Sequence, residues 1–148
     1  MFRLPTYDFK YSSVLIFVSL YHLNMKFINR KTNAVLDYLS VLILGAAPFL
    51  FNFANITPAL YTALSMAILI LLMSLFTDYE GGVLRFLHIS FHLTVDVILG
   101  LVLAVSPWLF NFNEVVYLPH LIMGILIAGA GLFTVKRSPG QPYMPLHN

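Results

Sequence analysis

A stretch of seventeen residues occurs twice in this chain, and the repetition decides most of what the polypeptide can become. Residues 96–112, D-V-I-L-G-L-V-L-A-V-S-P-W-L-F-N-F, fall on residues 37–53, D-Y-L-S-V-L-I-L-G-A-A-P-F-L-F-N-F, when shifted back by 59 positions. Eight of the seventeen positions are identical: the leading Asp, two leucines, the proline and the closing L-F-N-F. Each copy runs into a second apolar segment, so the repeating unit is a helical hairpin and the chain holds two. The closing helices also align once two residues are inserted in the second connector, with Pro58 on Pro119, Ala63 on Gly124 and Ala67 on Ala128. Small residues four apart let helix backbones approach closely in lipid.

The apolar runs cover residues 34–53, 59–76, 87–110 and 115–135. Each is close to the roughly 20 residues needed to cross a hydrocarbon core. Hydrophobic residues make up 59% of the chain and charged ones 9%, against about 25% charged in a soluble domain. With a mean hydropathy of +0.86, such a chain has too little polar surface to cover itself, so lipid is its natural solvent. The expected fold is all-α: a polytopic membrane protein with four transmembrane helices arranged as two parallel-repeat helical hairpins. Residues 25–80 form the first hairpin and 81–137 the second. Residues 1–24 read as an extension or interfacial segment, since the run from Val14 to Leu20 is too short to span, and Met25 is an equal candidate for the start. Residues 138–148, with three prolines, read as a mobile tail.

Charge sets the orientation. Arg3, Lys10, Lys26, Arg30, Lys31, Arg85, Lys136 and Arg137 are all the basic residues present. With four spans, every one lies on the side shared by the N-terminus, the middle loop and the C-terminus. The positive-inside rule puts that side in the cytoplasm, and the hairpins are then related by a pseudo-two-fold axis along the membrane normal. These residues form no patch among aromatics, which argues against nucleic acid as a partner. The absence of cysteine removes thiolate and iron–sulfur chemistry.

Two groups of residues stand out. Ser106-Pro107-Trp108 lies near the outer end of the third helix. Pro107 frees the carbonyl of Leu103, Pro48 (followed by Phe49) frees that of Leu44, and Ser106 is placed to satisfy the first. Trp108 sits at headgroup depth, where indoles anchor, while Asn52 and Asn111 are placed to cap helix ends. Asp37 and Asp96 form the second group. A carboxylate inside an apolar span costs about 2.5–3.5 kcal/mol at the helix centre and is a functional candidate by default. The alternative is structural: an acid near a helix N-terminus suits the dipole, with Arg30 or Lys31 as partner for Asp37 and Arg85 for Asp96. His88, His92 and Asp96 follow at i, i+4 and i+8 on one face, a spacing that suits metal ligation. Their counterparts Asn29 and Asn33 lack imidazoles, and His120 opens the fourth helix at the other membrane face. No metal and no cofactor is therefore expected, and His92 is expected to hydrogen-bond Asp96 or a lipid headgroup. No catalytic Ser/His/Asp set, phosphate-binding glycine loop or H-E-x-x-H helix occurs.

The doubled pattern of Asp, apolar helix, S-P-W or A-P-F and then L-F-N-F resembles the SPW repeat family of small bacterial membrane proteins. The opening R-K-T-N-x-x-x-D-Y is similar to that of two-copy members, in which a His often stands where this chain has Asn33; His92 matches that pattern in the second copy. The first copy departs from the signature, with Ala47-Pro48-Phe49 in place of S-P-W. The resemblance implies a helical fold and a bacterial cytoplasmic (inner) membrane location, and supplies no activity. The leading expectation is a non-enzymatic unit of the lipid bilayer that scaffolds, forms a homo-oligomer or joins a larger membrane complex. The second is proton, ion or solute handling by Asp37 and Asp96. The third is a lipid- or metal-binding module, or a membrane enzyme, using His88, His92 and Asp96.

Overall fold

The computed structural model describes residues 27–136. The expectations for residues 1–24 and 138–148, and for Met25, Lys26 and Arg137, lie outside that range. Four α-helices follow one another: α1 (Arg30–Leu50), α2 (Thr57–Phe76), α3 (Ile89–Leu109) and α4 (Leu118–Phe133). Among the described residues there is no strand, only the isolated bridges Ile28 to Thr134 and Thr77 to Leu87. Helices α1, α2 and α3, of 21, 20 and 21 residues, are long and apolar enough to cross a membrane. At 1.5 Å per residue each reaches about 30 Å.

Helix α4 has 16 residues, about 24 Å, and is shorter than the expected 115–135. Pro119 in its first turn fixes where helical φ begins, which leaves residues 115–117 outside the helix. At the other end Thr134 leaves the helix to pair with Ile28: Ile28 N–H donates to the Phe133 carbonyl at 3.1 Å and Val135 N–H to the Ile28 carbonyl at 2.9 Å. The end of α2 is closed in the same manner, with Leu87 N–H donating to Phe76 and Asp78 N–H to Leu87, both at 2.8 Å. The residue leading into each hairpin's first helix thus satisfies terminal carbonyls of the other hairpin's second helix.

Within each hairpin the helices pack side by side, and the hairpins meet through α1 with α4 and α2 with α3. The α3–α4 seam is backbone on backbone. A Cβ added at Gly100 would lie 2.5 Å from Ala128 N, and one at Gly124 would lie 2.4 Å from Ala104 N. Small residues admit this approach, the main source of helix association where lipid removes the hydrophobic drive. The middle of the bundle is filled by Leu44, Met66, Ile70, Leu103, Met123 and Ile127. Outward faces carry exposed Leu42, Ile68, Leu101 and Ile125, surface suited to acyl chains. The protein is a multi-pass membrane protein.

The L-F-N-F sequences make the tips. Asn52 and Asn111 adopt φ of 54° and 56°, the left-handed conformation that ends a helix and that Asn tolerates better than most residues. Phe53 N–H then donates to the Pro48 carbonyl at 2.9 Å and Asn52 N–H to Phe49 at 3.4 Å, while Phe112 N–H donates to Pro107 at 2.9 Å. The sequence suggested that these asparagines act through side-chain capping, whereas the backbone conformation accounts for them. The next residues, Phe53 and Phe112, are buried and flank the His120 ring with centroids 5.2 and 4.9 Å away. Ser106 Oγ donates at 2.7 Å to the Leu103 carbonyl, which Pro107 leaves without its helical donor. Half-exposed Trp108 lies beside Tyr117.

Replacing Gly124 with Leu should therefore open the seam and lower stability by about 1–3 kcal/mol or more. Gly45→Ala, at a position with open space, should leave the unfolding midpoint in detergent unchanged or slightly raised. Thermal unfolding of the two purified variants checks both.

Candidate functional site

Near the end of the bundle opposite the tips, polar side chains from four segments converge on His92. Helix α1 supplies Asn33 and Asp37, α3 supplies His92 and Asp96, the connector after α2 supplies Thr77 and Tyr79, and Thr134 follows α4. All seven are buried. Asp37 Oδ2 accepts from Asn33 Nδ2 at 3.0 Å and from the Tyr79 hydroxyl at 3.0 Å, and lies 3.1 Å from His92 Nε2. On the other ring edge, Thr77 Oγ1 donates to the Met73 carbonyl at 2.6 Å. That leaves it as the acceptor for His92 Nδ1–H at 2.9 Å, which fixes the tautomer by its partner. With Nδ1 protonated, the contact from Nε2 to Asp37 is a hydrogen bond when a further proton sits on Nε2 or on the carboxylate.

Asp96 is placed differently. Its Oδ2 is 2.9 Å from the same His92 Nε2 that Asp37 faces. Both Asp96 oxygens are buried without a formed hydrogen bond, an arrangement that costs free energy wherever it persists. Thr134 Oγ1 completes the ring of contacts, 2.7 Å from Asn33 Oδ1 and 2.6 Å from the Ala130 carbonyl. Asn33 and His92, 59 residues apart, thus each meet the threonine that follows the other hairpin's second helix.

Tyr79 covers the cluster, with its ring 5.4 Å from that of His92. Burial, and then the negative charge of Asp37, hold its phenol well above the ordinary range, so it stays a donor. The D-Y-E-G-G turn brings it there: Tyr38 hydroxyl donates to the Gly81 carbonyl at 2.8 Å. A Cβ at Gly82 would lie 1.7 Å from the Thr77 carbonyl oxygen, so this close return of the chain admits only glycine.

The arginines do not serve the acids in the way their positions in sequence suggest. Arg30 Nε lies 3.6 Å from Glu80 and its guanidinium donates to the Asp78 carbonyl. Arg85 Nε donates to Gly82 at 3.3 Å. Both side chains lie at the level of the connector, whereas the acids lie about two turns inside the helices, level with the facing imidazole. His88 does not join His92 and Asp96 either. It is the exposed N-cap of α3, with Nδ1 accepting from Ser90 N–H at 3.2 Å, as Asn29 caps α1 through Thr32 N–H at 2.8 Å. The third member of the group comes from α1, as Asp37. The offset of 59 marks Asn33 as the counterpart of His92 without giving it a role, and the sequence reading does not single out Thr77, Tyr79 or Thr134.

The model of the SPW repeat domain matches residues 14–134. This chain belongs to the SPW repeat family. No curated protein and no solved structure matches it. In this SPW protein the S-P-W tripeptide and the polar cluster are separate features, since Asp96 and Pro107 are eleven residues, or about 16 Å, apart along α3. The tripeptide shapes the tip; the carboxylates and imidazole lie at the other end.

Tyr79→Phe removes one hydrogen bond to a buried carboxylate, a change expected to cost about 1.5–3 kcal/mol. Tyr61→Phe, on an exposed helix face, should cost less than about 0.5 kcal/mol. Chemical unfolding in mixed micelles compares the two.

Proposed function

We propose that this protein is a non-enzymatic integral membrane unit of the bacterial cytoplasmic membrane, acting as a structural and interaction module. It works as a homo-oligomer or as a subunit of a larger membrane complex, with both termini and the 77–87 connector in the cytoplasm. Its two hairpins are read as copies of one ancestral unit. The observation that carries this reading is where the buried polar groups go: they tie α1, α3, the α2–α3 connector and the end of α4 to one another. Between that cluster and the tips the bundle is filled by the Gly100–Gly124 seam and the leucine, isoleucine and methionine side chains around Leu44 and Leu103. The surface grooves, one between Ile43, Phe51 and Met123 and another between Tyr61, Ser65 and Val102, are mostly apolar. Such grooves suit lipid tails or neighbouring helices better than a polar substrate.

Proton or ion handling is the second reading, favoured by the meeting of Asp37 and Asp96 on one imidazole. The variant carrying Asp37→Asn and Asp96→Asn separates the two. For a structural unit, wild-type proteoliposomes pass no more protons than protein-free vesicles, and the variant loses folded protein or unfolds at lower denaturant. A wild type that conducts, with a folded variant that does not, would overturn the structural reading. For orientation, alkaline phosphatase fused after Ala54 should be active and a fluorescent protein fused at the C-terminus should fluoresce; the reverse pattern contradicts the assignment.

A further inference from the structure

We propose that Asp37, His92 and Asp96 form a binding site for one divalent transition-metal ion of the Zn2+ class. The inference stands apart from the scaffold reading, since a site of this kind fits a structural unit and an ion-handling one equally.

Three observations carry it. The first is convergence. One donor atom from each of the three side chains lies within 4.8 Å of the others, with His92 Nε2 3.1 Å from Asp37 Oδ2 and 2.9 Å from Asp96 Oδ2. Ligands at about 2.0–2.2 Å from a tetrahedral metal are about 3.4 Å apart, and both contacts to His92 Nε2 lie within a few tenths of an ångström of that separation. The second is Asp96. Its carboxylate is fully buried, lies against His92 Nε2 and has no formed hydrogen bond on either oxygen, and a bound ion is one of the few ways to satisfy such a group. The third is charge. Two buried carboxylates face one imidazole, and among the described residues the contacts of ion-pair length made by Asp37 and Asp96 are both with His92. A divalent cation brings the set to neutrality, and a single proton on the ring does not.

The surroundings have the character of an outer ligand shell. His92 Nδ1–H donates to Thr77 Oγ1 at 2.9 Å, which turns Nε2 inward. Asn33 Nδ2 holds Asp37 at 3.0 Å, and Thr134 lies 2.7 Å from Asn33. Such partners orient ligands and tune their basicity. One nitrogen and two carboxylates are too few hard donors for Ca2+ or Mg2+ and suit Zn2+, Co2+ or Mn2+, with the Tyr79 hydroxyl or a water in the remaining position. Sequence spacing pointed to His88, His92 and Asp96; the fold replaces His88 with Asp37.

The test uses the full chain, purified in mild detergent with a tag free of histidine and stripped with chelator. Titration with ZnCl2 should load about one ion per chain and raise the thermal midpoint, with MgCl2 and CaCl2 ineffective. Asp96→Asn should reduce occupancy at least tenfold, and His88→Ala should leave it unchanged. CoCl2 added to the wild type should give the visible absorption of a four-coordinate N/O site, a readout that needs no variant to fold. Absence of both Zn2+ loading and Co2+ absorption in the wild type would overturn the proposal, as would occupancy in Asp96→Asn equal to wild type.

Discussion

A carboxylate placed about two turns inside an apolar helix has to find its hydrogen bonds in protein, because lipid offers none. Asp37 is that carboxylate, and the half of the bundle opposite the tips is arranged around it. Its three contacts, Asn33, Tyr79 and His92, come from its own helix, from the connector and from the other hairpin. Each contact brings further structure with it. Tyr79 requires the sharp return at Gly82, His92 requires Thr77 on its other nitrogen, and Asn33 brings in Thr134 from the end of α4. Loss of the carboxylate would leave the Asn33 amide, the Tyr79 hydroxyl and the inner edge of the His92 ring without the acceptor they share, which is how one side chain couples three segments.

The opposite end is held by shape. Asn52 and Asn111 in left-handed conformation turn the chain, Phe53 and Phe112 are driven inward, and His120 fits between them with Nε2 donating to the Ala59 carbonyl at 3.1 Å. Between the two ends, the contact of Gly100 with Gly124 joins α3 to α4 through van der Waals packing at backbone distance. In the first hairpin Ala59, Ala63 and Ala67 line the buried face of α2. The molecule thus has a polar end, a dry middle and an aromatic end, each specified by a different kind of interaction.

Much of this architecture is legible in the sequence because lipid makes the rules simple. Long apolar runs become helices, and a proline in the first turn marks a start. Ser106 beside Pro107 signals a carbonyl in need of a donor, and the i, i+4 spacing places His92 beside Asp96. The meeting of Asp37 with His92 is not legible, since they lie 55 residues apart and local periodicity carries no information on how one hairpin faces another. The arginines misled for a related reason: proximity along the chain does not measure depth along the membrane normal. The length of α4 escaped as well, because hydropathy continues through residues that leave the helix to pair with Ile28. The asparagines of L-F-N-F read as side-chain caps when their backbone conformation was the point.

The central claim is that Asp37 and His92 act together to hold the two hairpins in register. A double-mutant cycle on Asp37→Asn and His92→Gln, followed by reversible unfolding in mixed micelles, measures that coupling directly. The account predicts an interaction free energy of about 1.5 kcal/mol or more between the two sites. Effects that add to within about 0.5 kcal/mol would contradict it.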